Sequence, residues 1–229
     1  MKNYVKNIVA ATLGIIGVMF TAKFIFEVSP KAYANTQMTM PTPVDFGGNY
    51  MFDYSSVHVP SQDKTYYECL VWDKSTGESR LFYFNYTEKT FQAYGANVQI
   101  PKTTFDGGGS IMMDYTSVHV PSQDKTYYEC LVWDTYTGES KLYYFNYTDK
   151  LFKAYEDNVQ LPKPGFSLAG GQVLMDYTSV HVPSQDKTYY EVVMWNTLTG
   201  ESEMYYYNYT DKRFVRYGNN VQIPGNPLD

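Results

Sequence analysis

The sequence predicts an all-β protein: three tandem antiparallel β-meander repeats of about four strands each, packed together and preceded by an N-terminal signal peptide. Three observations predict it. The stretch Asp53 to Glu68 returns from Asp114 to Glu129 and from Asp176 to Glu191, with only Ser55 replaced, by Thr116 and Thr178. A period near sixty residues held through three copies marks a repeat architecture. The chain carries 25 Tyr and 13 Phe while Ala and Leu, the preferred helix formers, are scarce, which favours strands. Finally, each copy alternates short aromatic runs with Asp, Asn, Gly and Pro turn chemistry at hairpin spacing.

Residues 1–34 are of another kind. Lys2 and Lys6 open the chain, Ile8 to Phe20 is an apolar run, and Ala32-Tyr33-Ala34 follows Pro30 with small residues where a signal peptidase reads. Asn35 is the expected first mature residue. The competing expectation is an uncleaved anchor, with Lys23 inside the extended run to Phe26. The segment carries four lysines (Lys2, Lys6, Lys23, Lys31) against Glu27, a net of +3, so the chain's −6 leaves −9 on the mature part. A protein this acidic with no basic block is not drawn to nucleic acid or anionic membranes. Membrane association is expected only through an uncleaved signal segment.

A flexible mature N-terminus (35–48) then leads into repeat 1 (49–101). Its first strand, about Tyr50 to Val59, ends at Pro60, which cannot donate to a ladder. Ser61-Gln62-Asp63-Lys64 is a polar turn. The second strand, Thr65 to Trp72, sets Tyr66, Glu68, Leu70 and Trp72 on one face and Tyr67, Cys69 and Val71 on the other. Asp73 to Gly77 reads as a hairpin in which Asp73 caps the turn and Gly77 takes the left-handed position. Asp134 and Asn196, with Gly138 and Gly200, hold the same places in the other copies. The third strand, Ser79 to Asn85, is nearly continuous in aromatic and apolar residues, and a short fourth strand covers Thr90 to Tyr94.

Linkers at 102–110 and 163–172, with Phe and paired glycines, separate repeat 2 (111–162) and repeat 3 (173–224), and 225–229 is a C-terminal tail. A four-stranded sheet of this size cannot cover its own apolar face. The three copies are therefore expected to pack against one another, with pseudo-symmetry about a shared core.

Several residue sets invite a function. The turn Pro-Ser-Gln-Asp-Lys-Thr is identical in all copies, whereas the equally exposed Lys74-Ser75 drifts to Thr135-Tyr136 and Thr197-Leu198. That points to a surface used three times: Gln62, Asp63, Tyr66 and Tyr67 in repeat 1. Gln123, Asp124, Tyr127 and Tyr128 match them in repeat 2, and Gln185, Asp186, Tyr189 and Tyr190 in repeat 3. Trp72, Trp133 and Trp195 are candidates for sugar stacking, against a core role. His58, His119 and His181, the chain's three histidines, could converge on one metal if the sheets surround an axis. His58, Ser61 and Asp63 contain the residue types of a nucleophilic triad but share one turn, with no oxyanion donors implied. Cys69 and Cys130 stand at equivalent positions and are either bonded or two buried thiols; Val192 replaces them in repeat 3. Asn85-Tyr86-Thr87 and its two copies match a glycan acceptor pattern on a turn.

No carboxylate pair, phosphate-cradling loop or cofactor fingerprint stands out. The expected function is therefore an exported, non-catalytic interaction or structural role, periplasmic or secreted, without a cofactor. Its partner is a protein or glycan of the envelope or extracellular space. The alternative is a carbohydrate-binding module using exposed Tyr and Trp.

Overall fold

The computed structural model describes residues 49–168 and 170–219. The expected signal peptide, the mature N-terminus and the chain from residue 220 onward, tail included, lie outside the described residues. Repeat 1 forms strands β1 (Tyr50–Val59), β2 (Lys64–Asp73), β3 (Ser79–Asn85) and β4 (Thr90–Ala93). Repeat 2 forms β5 (Ile111–Val120), β6 (Lys125–Asp134), β7 (Ser140–Asn146) and β8 (Leu151–Ala154). Repeat 3 forms β9 (Val173–Val182), β10 (Lys187–Asn196), β11 (Ser202–Asn208) and β12 (Arg213–Arg216). Each repeat is one four-stranded antiparallel sheet in meander order.

Local chemistry sets the register. Val59 pairs with Lys64 across a short 3-10 turn, Pro60–Gln62, and the pairing runs unbroken to Tyr50 opposite Asp73. The next hairpin is held by Asp73, whose Oδ1 accepts from the backbone N–H of Ser75 (2.7 Å) and Thr76 (3.2 Å), while Gly77 adopts φ +69°. Asp134 and Asn196 repeat the arrangement, with Gly138 at φ 66° and Gly200 at φ 70°. Asn85 caps the third turn through the N–H of Thr87 (2.9 Å) and Glu88 (3.2 Å), and Lys89 sits left-handed at φ 55°. These are the turns that Asp, Asn and Gly favour when a side-chain oxygen stands in for a backbone carbonyl.

The sheets stand in a row. One face of the first sheet supplies Leu70, Trp72 and Leu81 to a core completed by Ile111, Met113, Tyr115, Val132 and Phe152 of the second. The same face of the second sheet supplies Leu131, Trp133 and Leu142 to a core completed by Val173, Met175, Tyr177, Met194 and Phe214 of the third. There are thus two cores, each between neighbours, and not the single core about a threefold axis that the repeat pattern suggested. The physical reason is that both faces of each sheet are apolar. The front face carries Leu70 and Trp72, and the back carries Val71 and Cys69. A two-faced sheet packs between two neighbours.

Every interface repeats the same bonds. Trp72 Nε1 donates to the Ile111 carbonyl (3.0 Å), and Trp133 Nε1 to the Val173 carbonyl (3.0 Å). The N–H of Tyr115 reaches Asp53 Oδ2 (2.7 Å), and that of Tyr177 reaches Asp114 Oδ2 (2.8 Å). Buried Glu68 accepts the hydroxyls of Tyr94 (2.6 Å) from its own repeat and Tyr115 (2.8 Å) from the next. Glu129 is held the same way by Tyr155 and Tyr177.

The glycine linkers are tighter than their composition suggests. Gly109 N–H donates to Asp134 Oδ2 (2.8 Å), and a Cβ on Gly107 would stand 2.3 Å from the Thr137 methyl. A Cβ on Gly171 would stand 1.9 Å from Asn196 Oδ1. These glycines lie directly on the hairpin turn of the repeat they introduce, where no side chain fits.

Candidate functional site

The three identical turns lie one per sheet along the edge of the row. In each, the residue after the 3-10 turn is a left-handed aspartate: Asp63 (φ 46°), Asp124 (φ 45°) and Asp186 (φ 47°). The turns are joined to each other. Ser61 Oγ donates to Asp124 Oδ1 (2.5 Å), and Ser122 Oγ donates to Asp186 Oδ1 in turn. The middle turn uses both its aspartate and its serine in these links, the first turn its serine and the third its aspartate.

Glutamine and lysine have separate work. Tyr66 donates its hydroxyl to Gln62 Oε1; Tyr127 does so to Gln123 and Tyr189 to Gln185, these two at 2.5 Å. Lys64 Nζ lies over two rings, 4.6 Å from the centre of Tyr66 and 5.3 Å from that of Tyr86. Lys125 sits over Tyr127 (4.7 Å) and Tyr147 (5.1 Å), and Lys187 over Tyr189 (4.9 Å) and Tyr209 (5.2 Å). Each exposed cation–π contact contributes about 0.5–1 kcal/mol, so the clamps order these side chains more than they stabilise the fold. Between the first two turns runs an open groove of about 300 Å³, lined by Gln62 and Tyr66 on one side and His119, Asp124, Lys125, Tyr128 and Tyr147 on the other.

The alternation of β2 separates Tyr66 from Tyr67. Tyr66, Tyr127 and Tyr189 join the turns. Tyr67, Tyr128 and Tyr190 lie on the back face, stacked on Tyr54, Tyr115 and Tyr177 with ring centres 6.1, 6.5 and 6.4 Å apart. The lysines and the outer tyrosines Tyr86, Tyr147 and Tyr209 were not singled out from sequence. Their signal was present, since Lys64 lies inside the identical stretch and Tyr86 inside the thrice-repeated Asn-Tyr-Thr.

The histidines do not converge. Each bonds across its own hairpin, Nδ1 to the Thr65, Thr126 or Thr188 hydroxyl at 3.2 Å. His119 Nε2 lies 3.7 Å from Asp124, and His181 Nε2 lies 3.8 Å from Asp186. Among the described residues no three His, Cys, Asp or Glu side chains gather in a metal-binding group. Of the residues His58, Ser61 and Asp63, Ser61 gives its hydroxyl to Asp124 of the next turn and His58 Nδ1 meets the Thr65 hydroxyl.

Trp72 and Trp133 are 2 % exposed and leave no ring face for a sugar, whereas Trp195 is half-buried. Cys69 and Cys130 are separate buried thiols, and burial pushes the Cys69 thiol up to about 11. Asn85, Asn146 and Asn208 each spend the side-chain oxygen on two turn amides.

Behind the turns the electrostatics are those of buried acids. Burial raises Glu129 to about 7, opposed by the hydroxyls of Tyr155 and Tyr177. Burial also raises Glu68. Asp114 is raised by burial first, then by Asp53 and Asp176, its equivalents in the neighbouring repeats. Glu68, Asp114 and Glu129 each bond to the following repeat, so these groups belong to the joints of the row.

Fold and surface together define a class: a linear stack of β-meander sheets carrying a ladder of identical polar-aromatic turns. No protein-family model matches the chain, and no curated protein is significantly similar to it.

Proposed function

We propose that this is an exported, non-catalytic repeat protein that acts by offering the same turn surface three times to a protein or glycan partner outside the cytoplasm. One observation carries the reading: the Lys-Tyr-Tyr clamp recurs at each repeat with nearly the same geometry and stays at the surface. Tyr86, Tyr147 and Tyr209 are 44 %, 43 % and 44 % exposed, each fixed by its hydroxyl on the carbonyl of Thr65, Thr126 or Thr188. A lysine held over two rings offers a cation beside aromatic surface, with both phenol hydroxyls already donated (in repeat 1 to Gln62 Oε1 and the Thr65 carbonyl), which suits acidic groups or the oxygens of sugars. Three such sites on one rigid body gain avidity for a partner with matching repetition. The glycan alternative moves with this geometry, from Trp72 and Trp133 to the outer tyrosines.

The test is binding of the purified chain to the isolated envelope fraction of its own cells. Replacing Lys64, Lys125 and Lys187 singly with Gln should weaken binding in steps, and replacing all three should abolish it. Unchanged binding by the triple variant, with unchanged thermal unfolding, would overturn the reading.

A further inference from the structure

Each internal joint of the row has two halves, and the outer faces of the first and third sheets carry one half each. At the leading end, the back face of the first sheet presents Phe52 (69 % exposed) and Tyr54 (50 % exposed). Their counterparts Met113 and Tyr115, and Met175 and Tyr177, are all 3–4 % exposed because a preceding sheet covers them. At the trailing end, Val193 and Trp195 are half-buried where Leu131 and Trp133 are covered by the following sheet.

The polar partners are split the same way. Glu191 accepts a hydroxyl from Tyr217 of its own repeat, as Glu68 does from Tyr94. The second tyrosine, which Tyr115 and Tyr177 supply to Glu68 and Glu129, has no equivalent beyond the third sheet among the described residues. The matching hydroxyl is Tyr54, which meets no carboxylate among the described residues. Trp195 Nε1 likewise has no carbonyl acceptor there, although Trp72 and Trp133 each have one.

We infer that the chain assembles head to tail with itself, the trailing face of one copy docking on Phe52 and Tyr54 of the next. The occupant follows from complementarity: the surface that fits the leading face is the surface that already covers its two internal equivalents, and the trailing end presents a third version of it. The joint is heterologous, so repetition gives an open filament or, where the rotation closes, a ring. It also continues the ladder of turns across molecules. The inference rests on the internal joints and does not depend on what the turns bind.

The experiment uses the full chain, expressed with its leader so that any processing follows the cell's course. Sedimentation velocity of the wild type should show species that grow with concentration. Phe52→Asp blocks the leading face, and Val193→Arg blocks the trailing face. Thr178→Arg is a second trailing block outside the core, at the position where Ser55 and Thr116 touch the next repeat through Ser117 and Ser179. Each variant alone should remain a monomer. Mixing a leading-face variant with a trailing-face variant should double the mass and stop there, since that pair can form one joint only. A wild type that stays monomeric, as it would if residues 1–48 covered the leading face of their own chain, overturns the inference. So does assembly that persists in the single variants, or a mixture of two folded variants that fails to pair.

Discussion

The Tyr115 hydroxyl reaches 2.8 Å across the first joint to Glu68, a carboxyl that Tyr94 holds from the other side at 2.6 Å. A glutamate this deeply buried has to be hydrogen-bonded. Two phenols from different repeats meet that need, so the joint is specified by polar groups as well as filled by apolar ones.

Removing one phenol should therefore be costly in one place and harmless in another. Tyr115→Phe leaves Glu68 short of a partner and should lower stability by about 1–3 kcal/mol in urea unfolding. Tyr54→Phe, at the equivalent position on the open face, should change it by less than about 0.5 kcal/mol when both are measured in a chain kept monomeric by Val193→Arg.

Acid should stabilise this protein over a range where acid usually harms. The folded chain raises Glu129 from 4.5 to about 7, so it binds a proton there that the unfolded chain releases. Its contribution is fully present below the unfolded value and is lost as pH rises through the folded one, and Glu68 and Asp114 shift in the same direction. Unfolding temperature should rise as pH falls from 8 towards 5. Glu129 alone contributes on the order of 3 kcal/mol, and Glu129→Gln should flatten the profile.

Gly171→Ala should be among the most disruptive small substitutions. The added methyl would meet Asn196 Oδ1 at 1.9 Å, and Asn196 is fully buried and committed to the amides of Leu198 and Thr199. A loss of about 1–3 kcal/mol is expected for this overpacking, measured as a shift in the denaturation midpoint.

The reverse holds at the third turns, where Lys89, Lys150 and Lys212 occupy φ 55°, 54° and 50°. An L side chain is strained there. Lys150→Gly should raise stability by roughly 0.5–1 kcal/mol in the same assay.

The strands and turns were legible because they are local. Alternation put Leu70 and Trp72 on one face, and Asp73, Asn85 and Gly77 announced the hairpins. The row was not legible, since a ring and a row place the same residues at the same period. What separates them is that Val71 and Leu70, on opposite faces, both need cover. Half of the proposed surface was visible in the identical turn. Tyr66 and Tyr67 point to opposite faces, as alternation requires, and the two kinds of tyrosine meet between repeats, where Tyr66 and Tyr128 line one groove. The roles of Ser61 and Asp124 depend on which turn lies beside which, and a single copy cannot reveal that. The glycines of 102–110 and 163–172 read as slack because their crowding comes from Asp134 and Asn196, some 25 residues downstream.

Because the described sheets pack one on the next through joints of one kind, nothing in the architecture counts to three. A gene that gained a fourth in-phase copy, or lost the middle one, would still encode joints of the same kind. Reach and valency can therefore change by recombination between near-identical segments in a single event, without any new contact having to evolve.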